Sequence, residues 1–266
     1  MPLVDKPFKP QHNIPIPHQY PLAGVTMTNI STNTTLLPQF LQELSLLQNH
    51  PRAKVEKKYH KSSREHWGVS VPDCTKLARQ FGKKLSEQHL ITLANDLWQT
   101  GIFDAMTAAS KILALPKIKA STELWQMVCS YLKDVDGWAL EDHLARTGWK
   151  CIAADEQLLD QVEQWTKHAN FWMRRAALIF TLPYAKPGQN PERMLGWASQ
   201  YASDPEWFIQ KAIGWWLRDL GKHNPKRVIE FLNQHWPRLK TVARKEATRK
   251  LGQEWVAKLI HRAVVA

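Results

Sequence analysis

The stretch Asn170-Phe-Trp-Met-Arg-Arg-Ala-Ala-Leu-Ile-Phe180 decides the fold, because Glu206-Trp-Phe-Ile-Gln-Lys-Ala-Ile-Gly-Trp-Trp216 repeats its pattern 36 residues later. The two stretches match in Phe171 with Trp207, Arg175 with Lys211, and Ala176 with Ala212. A fainter third copy lies at Arg244-Lys-Glu-Ala247. Helix pairs with a period in the thirties to forties are typical of HEAT and armadillo arrays. We therefore predict an all-α, HEAT-like (ARM-type) helical-repeat solenoid; two helices that are alike by chance are the alternative.

Outward from this repeat, the chain divides into a short arm and one long helical domain. Residues 1–35 hold six prolines and a polar Thr/Asn run, which predicts an extended or disordered arm. From Leu36 onward, apolar residues recur at helical spacing in segments separated by short breaks, which predicts a single helical-repeat domain over 36–266. Asp204-Pro205 and Asn224-Pro225 are predicted helix starts, with the first residue of each pair as the cap.

Length and composition restrict the kinds of protein that this chain can be. The chain has 266 residues, 44% of them hydrophobic, which is enough for a sizeable core or a continuous array. No apolar run approaches the roughly 20 residues of a membrane span, and no signal-peptide pattern is present, so we expect a cytoplasmic protein with no membrane partner. The three cysteines and eleven histidines show no metal-ligand spacing, and we expect no metal and no organic cofactor.

Positive charge is concentrated in one part of the chain. Residues 165–266 hold 18 Lys/Arg and 7 Asp/Glu, whereas residues 1–164 hold 18 and 17. Such an excess suits a polyanionic partner, and a solvated basic face is the alternative. One helix of each pair lines the concave face of a solenoid. If the matched helices are those inner ones, a basic concave groove follows, carrying Arg174, Arg175, Lys211 and Arg218.

The thirteen tryptophans serve mostly as packing residues on this interpretation, with Trp98, Trp125, Trp165 and Trp197 at core-like spacings. Trp138 differs because Asp142 follows it by four residues, so that the two share one helix face. Spacing alone favours a surface ion pair between Asp142 and Arg146, again four residues apart, over a catalytic role.

The runs F-W-M-R-R-A-A-L-I-F and W-F-I-Q-K-A-I-G-W-W-L-R-D, within Phe171 to Phe231, closely resemble the AlkD family of bacterial alkylpurine DNA glycosylases. The likeness extends weakly upstream, through the stretches at 66–72 and 96–98, to about residue 45, and downstream through Arg244-Lys-Glu-Ala247. It covers roughly four fifths of the chain, without the arm. The resemblance implies HEAT-like repeats and the excision of N3- and N7-alkylated purines, such as 3-methyladenine and 7-methylguanine, from duplex DNA by a monomeric enzyme.

The resemblance also implies a site. Local matching puts the family's catalytic aspartate and its preceding tryptophan on Asp142 and Trp138, and the second tryptophan on Trp215. The family's arginine falls on Arg175, here assigned to a phosphate near the lesion. The other predicted DNA contacts are Arg174, Lys211, Arg218, Arg244 and Lys245. Two departures are Ala139, where the family has a polar residue, and Trp216, which leaves open which indole faces DNA.

A single carboxylate suits this chemistry. An ordinary glycosidase uses two carboxyl groups, one of them to protonate the leaving group. A purine alkylated at N3 or N7 already carries positive charge and departs without an acid. Asp142 is then expected to act as the anion, stabilising the cationic sugar and positioning the water, and a strongly raised pKa would count against it. A non-catalytic array that binds damaged duplexes and a protein-interaction scaffold are the alternative functions.

Overall fold

The computed structural model describes residues 36–253, and within that range it contains thirteen α-helices, two short 3-10 helices and no strand. The all-α expectation is thereby confirmed. The predicted arm, 1–35, lies outside the described residues, as does 254–266, so the limits of the arm and of the helical domain stay predictions. None of the helices in 36–253 is long and apolar enough to cross a membrane.

Six helices form an inner row in which each packs against the next, at intervals of 32 to 36 residues along the chain. They are α3 (Val71–Lys84), α5 (Phe103–Leu113), α7 (Trp138–Ala154), α9 (Phe171–Ile179), α11 (Trp207–Gly221) and α13 (Thr241–Thr248). The outer row consists of the helices between them: α4 (Glu87–Gln99), α6 (Thr122–Asp134), α8 (Leu158–Trp165), α10 (Glu192–Gln200) and α12 (Pro225–His235). Two helices, α1 (Leu36–Ser45) and α2 (His50–His60), precede both rows.

The same repeat is visible in single hydrogen bonds between neighbouring units. The indole of Trp98 donates to Asp134 at 3.1 Å, and the indole of Trp125 donates to Gln161 at 2.8 Å, each across 36 residues. Further along, the indole of Trp216 donates to the Thr181 carbonyl at 3.3 Å, across 35 residues. The internal repeat predicted from 170–180 and 206–216 is therefore real, because its two copies are the inner helices α9 and α11.

Two predicted helix starts have different outcomes. Asn224 caps α12 as expected, and its side chain accepts from the backbone N–H of Arg227. The prediction for Asp204 is wrong, because α11 begins at Trp207 with Glu206 before it. The Asp204 carboxylate instead accepts from the Glu206 N–H at 2.8 Å and pairs with Arg174 at 3.3 Å. This pairing tightens the turn that leads into α11.

The core runs between the two rows and contains the tryptophans assigned to packing. Trp98, Trp125, Trp165 and Trp197 are all buried, as predicted. They add large apolar areas to a core otherwise built from Leu, Ile and Ala, which stabilises the stacking of successive helix pairs.

Two helical glycines should respond in opposite ways to alanine. A Cβ on Gly148 would lie 2.2 Å from the Phe180 ring, so Gly148→Ala should lower the free energy of unfolding by about 1–3 kcal/mol through overpacking. A Cβ on the exposed Gly196 meets nothing within 4 Å. Gly196→Ala should therefore raise the free energy of unfolding by about 0.5–1 kcal/mol, because alanine favours the helix more than glycine does. Urea denaturation measures both; shifts of the same sign would contradict the packing of α7 against Phe180.

Candidate active site

A cleft of about 850 Å³ opens on the inner row. Its lining includes six of the residues predicted for catalysis or DNA contact: Trp138, Asp142, Arg175, Lys211, Trp215 and Arg218. They come from three successive inner helices, α7, α9 and α11. The repeat therefore brings together residues that are up to 80 positions apart in the chain. Whether they act on DNA remains a prediction.

The first turn of α7 places Trp138 and Asp142 at the cleft. The helix begins at Trp138, and Asp142 follows one turn later on the same face, as the spacing predicted. Asp142 is 20% exposed, so its carboxylate reaches the cleft from a largely buried position. One oxygen, Oδ1, accepts from Arg175 Nη1 at 2.9 Å, and no described residue donates to Oδ2. The alternative pairing with Arg146 is not formed; the partner lies on α9 instead.

Arg175 has a different environment from the predicted one. Its side chain is 3% exposed, and Nη1 lies 2.9 Å from Asp142 and 3.0 Å from Glu141 Oε1. The guanidinium is thus held between two acids, but Arg175 also lines the cleft, so its contact with a phosphate stays a prediction. The physical reason for the two ion pairs is that α9 packs directly on α7, which brings Arg175 over the first turns of α7. The residue fixes Asp142.

Glu141 was not singled out by the sequence, yet it is fully buried beside this pair. Burial raises the pKa of Glu141 to about 8, against the opposing charge of Arg175 and with the help of Asp142. The pKa of Asp142 is also raised, because burial outweighs the charge and hydrogen bond of Arg175, which lower it. This direction counts against the anion expected from the sequence. Since two carboxyl groups share one guanidinium, only one can be fully balanced. A pKa of about 8 keeps the proton on the deeper Glu141 at neutral pH, which leaves Arg175 to stabilise the ionised form of Asp142.

The titration of Glu141 should make the folded protein less stable as pH rises. Its pKa is about 8 when folded and near 4.5 when unfolded, so the folded state binds the extra proton between pH 5 and 8. The free energy of unfolding should then fall across this window, by at most about 1.4 kcal/mol per pH unit. Glu141→Gln removes the titrating group, and urea denaturation of both proteins at pH 5, 6.5 and 8 measures the difference. Parallel pH profiles would contradict a buried, protonated Glu141.

Trp215, and not Trp216, faces the cleft. Trp216 is fully buried and donates to the Thr181 carbonyl, whereas Trp215 is half-buried and lines the cleft. The Trp215 indole donates to Asp219 Oδ2 at 3.1 Å, and the Arg218 guanidinium lies 6.0 Å from its ring centroid. These two contacts fix the orientation of the indole. Of the two tryptophans, the one matched by the family resemblance, Trp215, is therefore the one that lines the cleft.

The two cleft cations of α11 are held by an acid that the sequence did not identify. Lys211 and Arg218 both donate to the buried Glu246 of α13. Burial alone would raise the pKa of Glu246, but these two cations lower it. Glu246 lies 35 residues after Lys211, so the repeat offset was the signal that could have found this pair.

The other predicted DNA contacts do not line the cleft. Arg174 donates to the carbonyls of His168 and Ala169 and pairs with Asp204. Arg244 lies over the Trp236 ring, 5.2 Å from its centroid, and donates to a backbone carbonyl. Lys245 is exposed. Arg174 and Arg244 therefore both have partners within the protein, and their contacts with DNA stay predictions.

One part of the cleft lining was not predicted from the sequence at all. It consists of four residues of α2 and its C-cap: Val55, Lys58, Tyr59 and Lys61. The Tyr59 ring meets the Trp138 ring edge-on, with centroids 5.3 Å apart. The basic run over 52–61 could have indicated this part of the lining. It was overlooked because the net charge of residues 1–164 as a whole is close to zero.

The comparisons with known proteins agree with this fold. A solved structure described as a predicted DNA alkylation repair enzyme from Enterococcus faecalis is 22% identical, with 77% of this chain and 97% of that chain covered and a TM-score of 0.67. AlkD2 from Streptococcus mutans is 17% identical, with 82% and 98% covered and a TM-score of 0.60. The protein smu.31 from Streptococcus mutans UA159 is 19% identical, with 76% and 98% covered and a TM-score of 0.55. These likenesses show the helical-repeat fold.

A search of curated proteins gave no significant match. Residues 40–251 match the family described as DNA alkylation repair enzyme, which covers all thirteen helices except the first residues of α1. The matched range includes every residue of the cleft described above. The chain therefore belongs to the family of DNA alkylation repair enzymes.

Proposed function

We propose that the chain is a monofunctional DNA glycosylase, which hydrolyses the N-glycosidic bond of cationic N3- or N7-alkylated purines in duplex DNA and leaves an abasic site. The observation that carries this proposal is the position of Asp142. Its carboxylate reaches a cleft that Trp138 and Trp215 also line, with one oxygen fixed by Arg175 and the other without a hydrogen-bond donor among residues 36–253.

The reaction needs an anion at this place. As the bond between C1′ and the purine breaks, the electron pair leaves with the base, which becomes neutral, and the sugar becomes cationic. The carboxylate of Asp142 stabilises this cation, and its free oxygen accepts a proton from the water that attacks C1′. Because the alkylated base already carries its charge, no protonated acid is required at the leaving group. The protonated Glu141 is buried away from the cleft and has no part in this step.

The two indoles strengthen the same effect. The face of an indole attracts a cation by about 0.5–2 kcal/mol, and more when water is excluded. As the sugar gains charge, this attraction grows, so Trp138 and Trp215 favour the transition state over the bound substrate. Arg175 serves as a positioning residue, since its contact with Asp142 Oδ1 leaves Oδ2 directed to water and sugar.

The test is base release from a duplex oligonucleotide that carries a single 7-methylguanine. We expect free 7-methylguanine in solution and a DNA strand that breaks only after alkali treatment. Strand cleavage without alkali would instead indicate a lyase step. Tight binding of the duplex without base release would identify a non-catalytic binder of damaged DNA and overturn the proposal.

A further inference from the structure

The helix α2 differs from the rest of the described fold in how little of it is packed. It carries four Lys/Arg and one Glu in eleven residues, and only the Ala53 side chain is buried. Lys54, Lys57 and Lys58 are all exposed, and Lys61 extends the basic run as the C-cap. A helix with so small an apolar face contributes little to the core, so its composition calls for another explanation.

The cations of α2 also differ from the other cations of the cleft in their ion pairing. Arg175 is held by two acids, and Lys211 and Arg218 share Glu246. In contrast, Lys58 and Lys61 line the cleft and form no ion pair with any residue in 36–253. Because one acid is shared by two cleft cations, α11 keeps part of its positive charge. Lys58 and Lys61 of α2 add two cations that no acid among residues 36–253 offsets.

The position of α2 is fixed by close backbone contacts. The Asn49 N–H donates to the Trp67 carbonyl at 2.9 Å. Gly68, at φ 73°, lies so close that a Cβ would come within 2.2 Å of the Asn49 oxygen and 2.6 Å of the Ala53 nitrogen. At the other end, Lys61 adopts a left-handed conformation, φ 55°, and ends the helix beside Trp138. A preorganised cationic wall loses little entropy when a ligand binds.

We propose that α2 binds the phosphate backbone of the same duplex whose alkylated nucleotide occupies the cleft, with Lys58 and Lys61 as the phosphate ligands nearest the lesion. This proposal rests on the proposed function for the identity of the ligand. An eleven-residue helix is about 16 Å long. Duplex DNA carries about nine phosphate charges over that length. The match of unpaired cations with a linear polyanion favours DNA over a discrete acidic ligand.

The experiment compares two double variants in which lysines are neutralised. Lys58→Gln with Lys61→Gln removes the cleft cations of α2. Lys83→Gln with Lys84→Gln is the matched control, since these exposed lysines end α3 and do not line the cleft. Fluorescence anisotropy measures duplex affinity from 50 to 200 mM salt, with and without one 7-methylguanine, and thermal unfolding checks that both variants fold.

We expect the Lys58/Lys61 variant to lose on the order of tenfold in affinity at 0.1 M salt, equally for damaged and undamaged duplex. The slope of log K against log salt should become shallower by about two, since two phosphate contacts are lost. The control should bind duplex and release base as the wild type does. Equal affinity and slope for the Lys58/Lys61 variant and the wild type would overturn the proposal, as would an equal loss in the control.

The two proposals fail in distinguishable ways. A wild type that binds duplex through α2 but releases no base would defeat the glycosylase and leave this inference standing. A wild type that releases base, together with a Lys58/Lys61 variant of undiminished affinity, would defeat this inference alone.

Discussion

Asp142→Asn is expected to slow the release of 7-methylguanine by about 100- to 1,000-fold, the usual cost of losing a preorganised charge at a transition state. The amide keeps the size of the side chain and its contact with Arg175, but it offers no negative charge to C1′ and no base to water. The fold should survive, because the nearby Glu141 can give up its proton and balance the guanidinium. Single-turnover base release at saturating enzyme isolates the chemical step from binding.

Asp96→Asn serves as the matched control, because Asp96 lies on the outer helix α4 and does not line the cleft. This control should release base at the wild-type rate. If Asp142→Asn released base as fast as the control does, the carboxylate would have no role in bond cleavage, whatever else the cleft does.

The largest effect on stability is expected at Arg175. Replacing it with methionine leaves Asp142 and Glu141 without their shared cation, which should lower the free energy of unfolding by about 3–5 kcal/mol at pH 8. This loss in the free energy of unfolding should be smaller at pH 5. Without the guanidinium, both folded-state pKa values rise further, and the folded state gains stability wherever it binds more protons than the unfolded state.

Urea denaturation at the two pH values tests this, with Arg193→Met as the control. Arg193 pairs with Asp160 and Glu163 at the surface, at 36% exposure, and should cost less than about 1 kcal/mol. Adding Glu141→Leu to Arg175→Met should recover part of the loss, since one orphaned acid is removed. An Arg175→Met variant as stable as Arg193→Met, but defective in DNA binding, would contradict the structural role of the ion pair and support the phosphate contact predicted for Arg175 from the sequence.

The fold was predictable because its signal is local and repeated. The matched residues at 170–180 and 206–216 lie on two inner helices, and the periodicity from Leu36 onward corresponds to successive helices. The one wrong start, at Asp204, arose because an aspartate before proline can cap a helix or stabilise a turn with similar local bonds.

The composition of the site was predictable only in part. Helical spacing placed Asp142 and Trp138 on one face, and the family resemblance, not the repeat, favoured Trp215 over its neighbour. Spacing could not supply partners across helices, because the contact of Arg175 with Glu141 and Asp142 depends on how α9 packs on α7.

Which cations of the cleft have acidic partners could not be predicted from the sequence, for a related reason. Totals over long segments count paired and unpaired charges alike, so the +11 of residues 165–266 suggested a phosphate surface on α11. The structure pairs both cleft cations of that helix with Glu246. It leaves Lys58 and Lys61 of α2 facing the cleft, in a half of the chain whose total is nearly neutral.

The central claim is that one anionic carboxylate suffices because the departing base is already positively charged. Its most direct test compares two duplexes that differ in a single ring atom, one with 7-methylguanine and one with its neutral 7-deaza counterpart, at saturating enzyme. Rapid release of the charged base and no detectable release of the neutral one are expected. Equal rates for both would show that the protein supplies its own acid and would contradict the account.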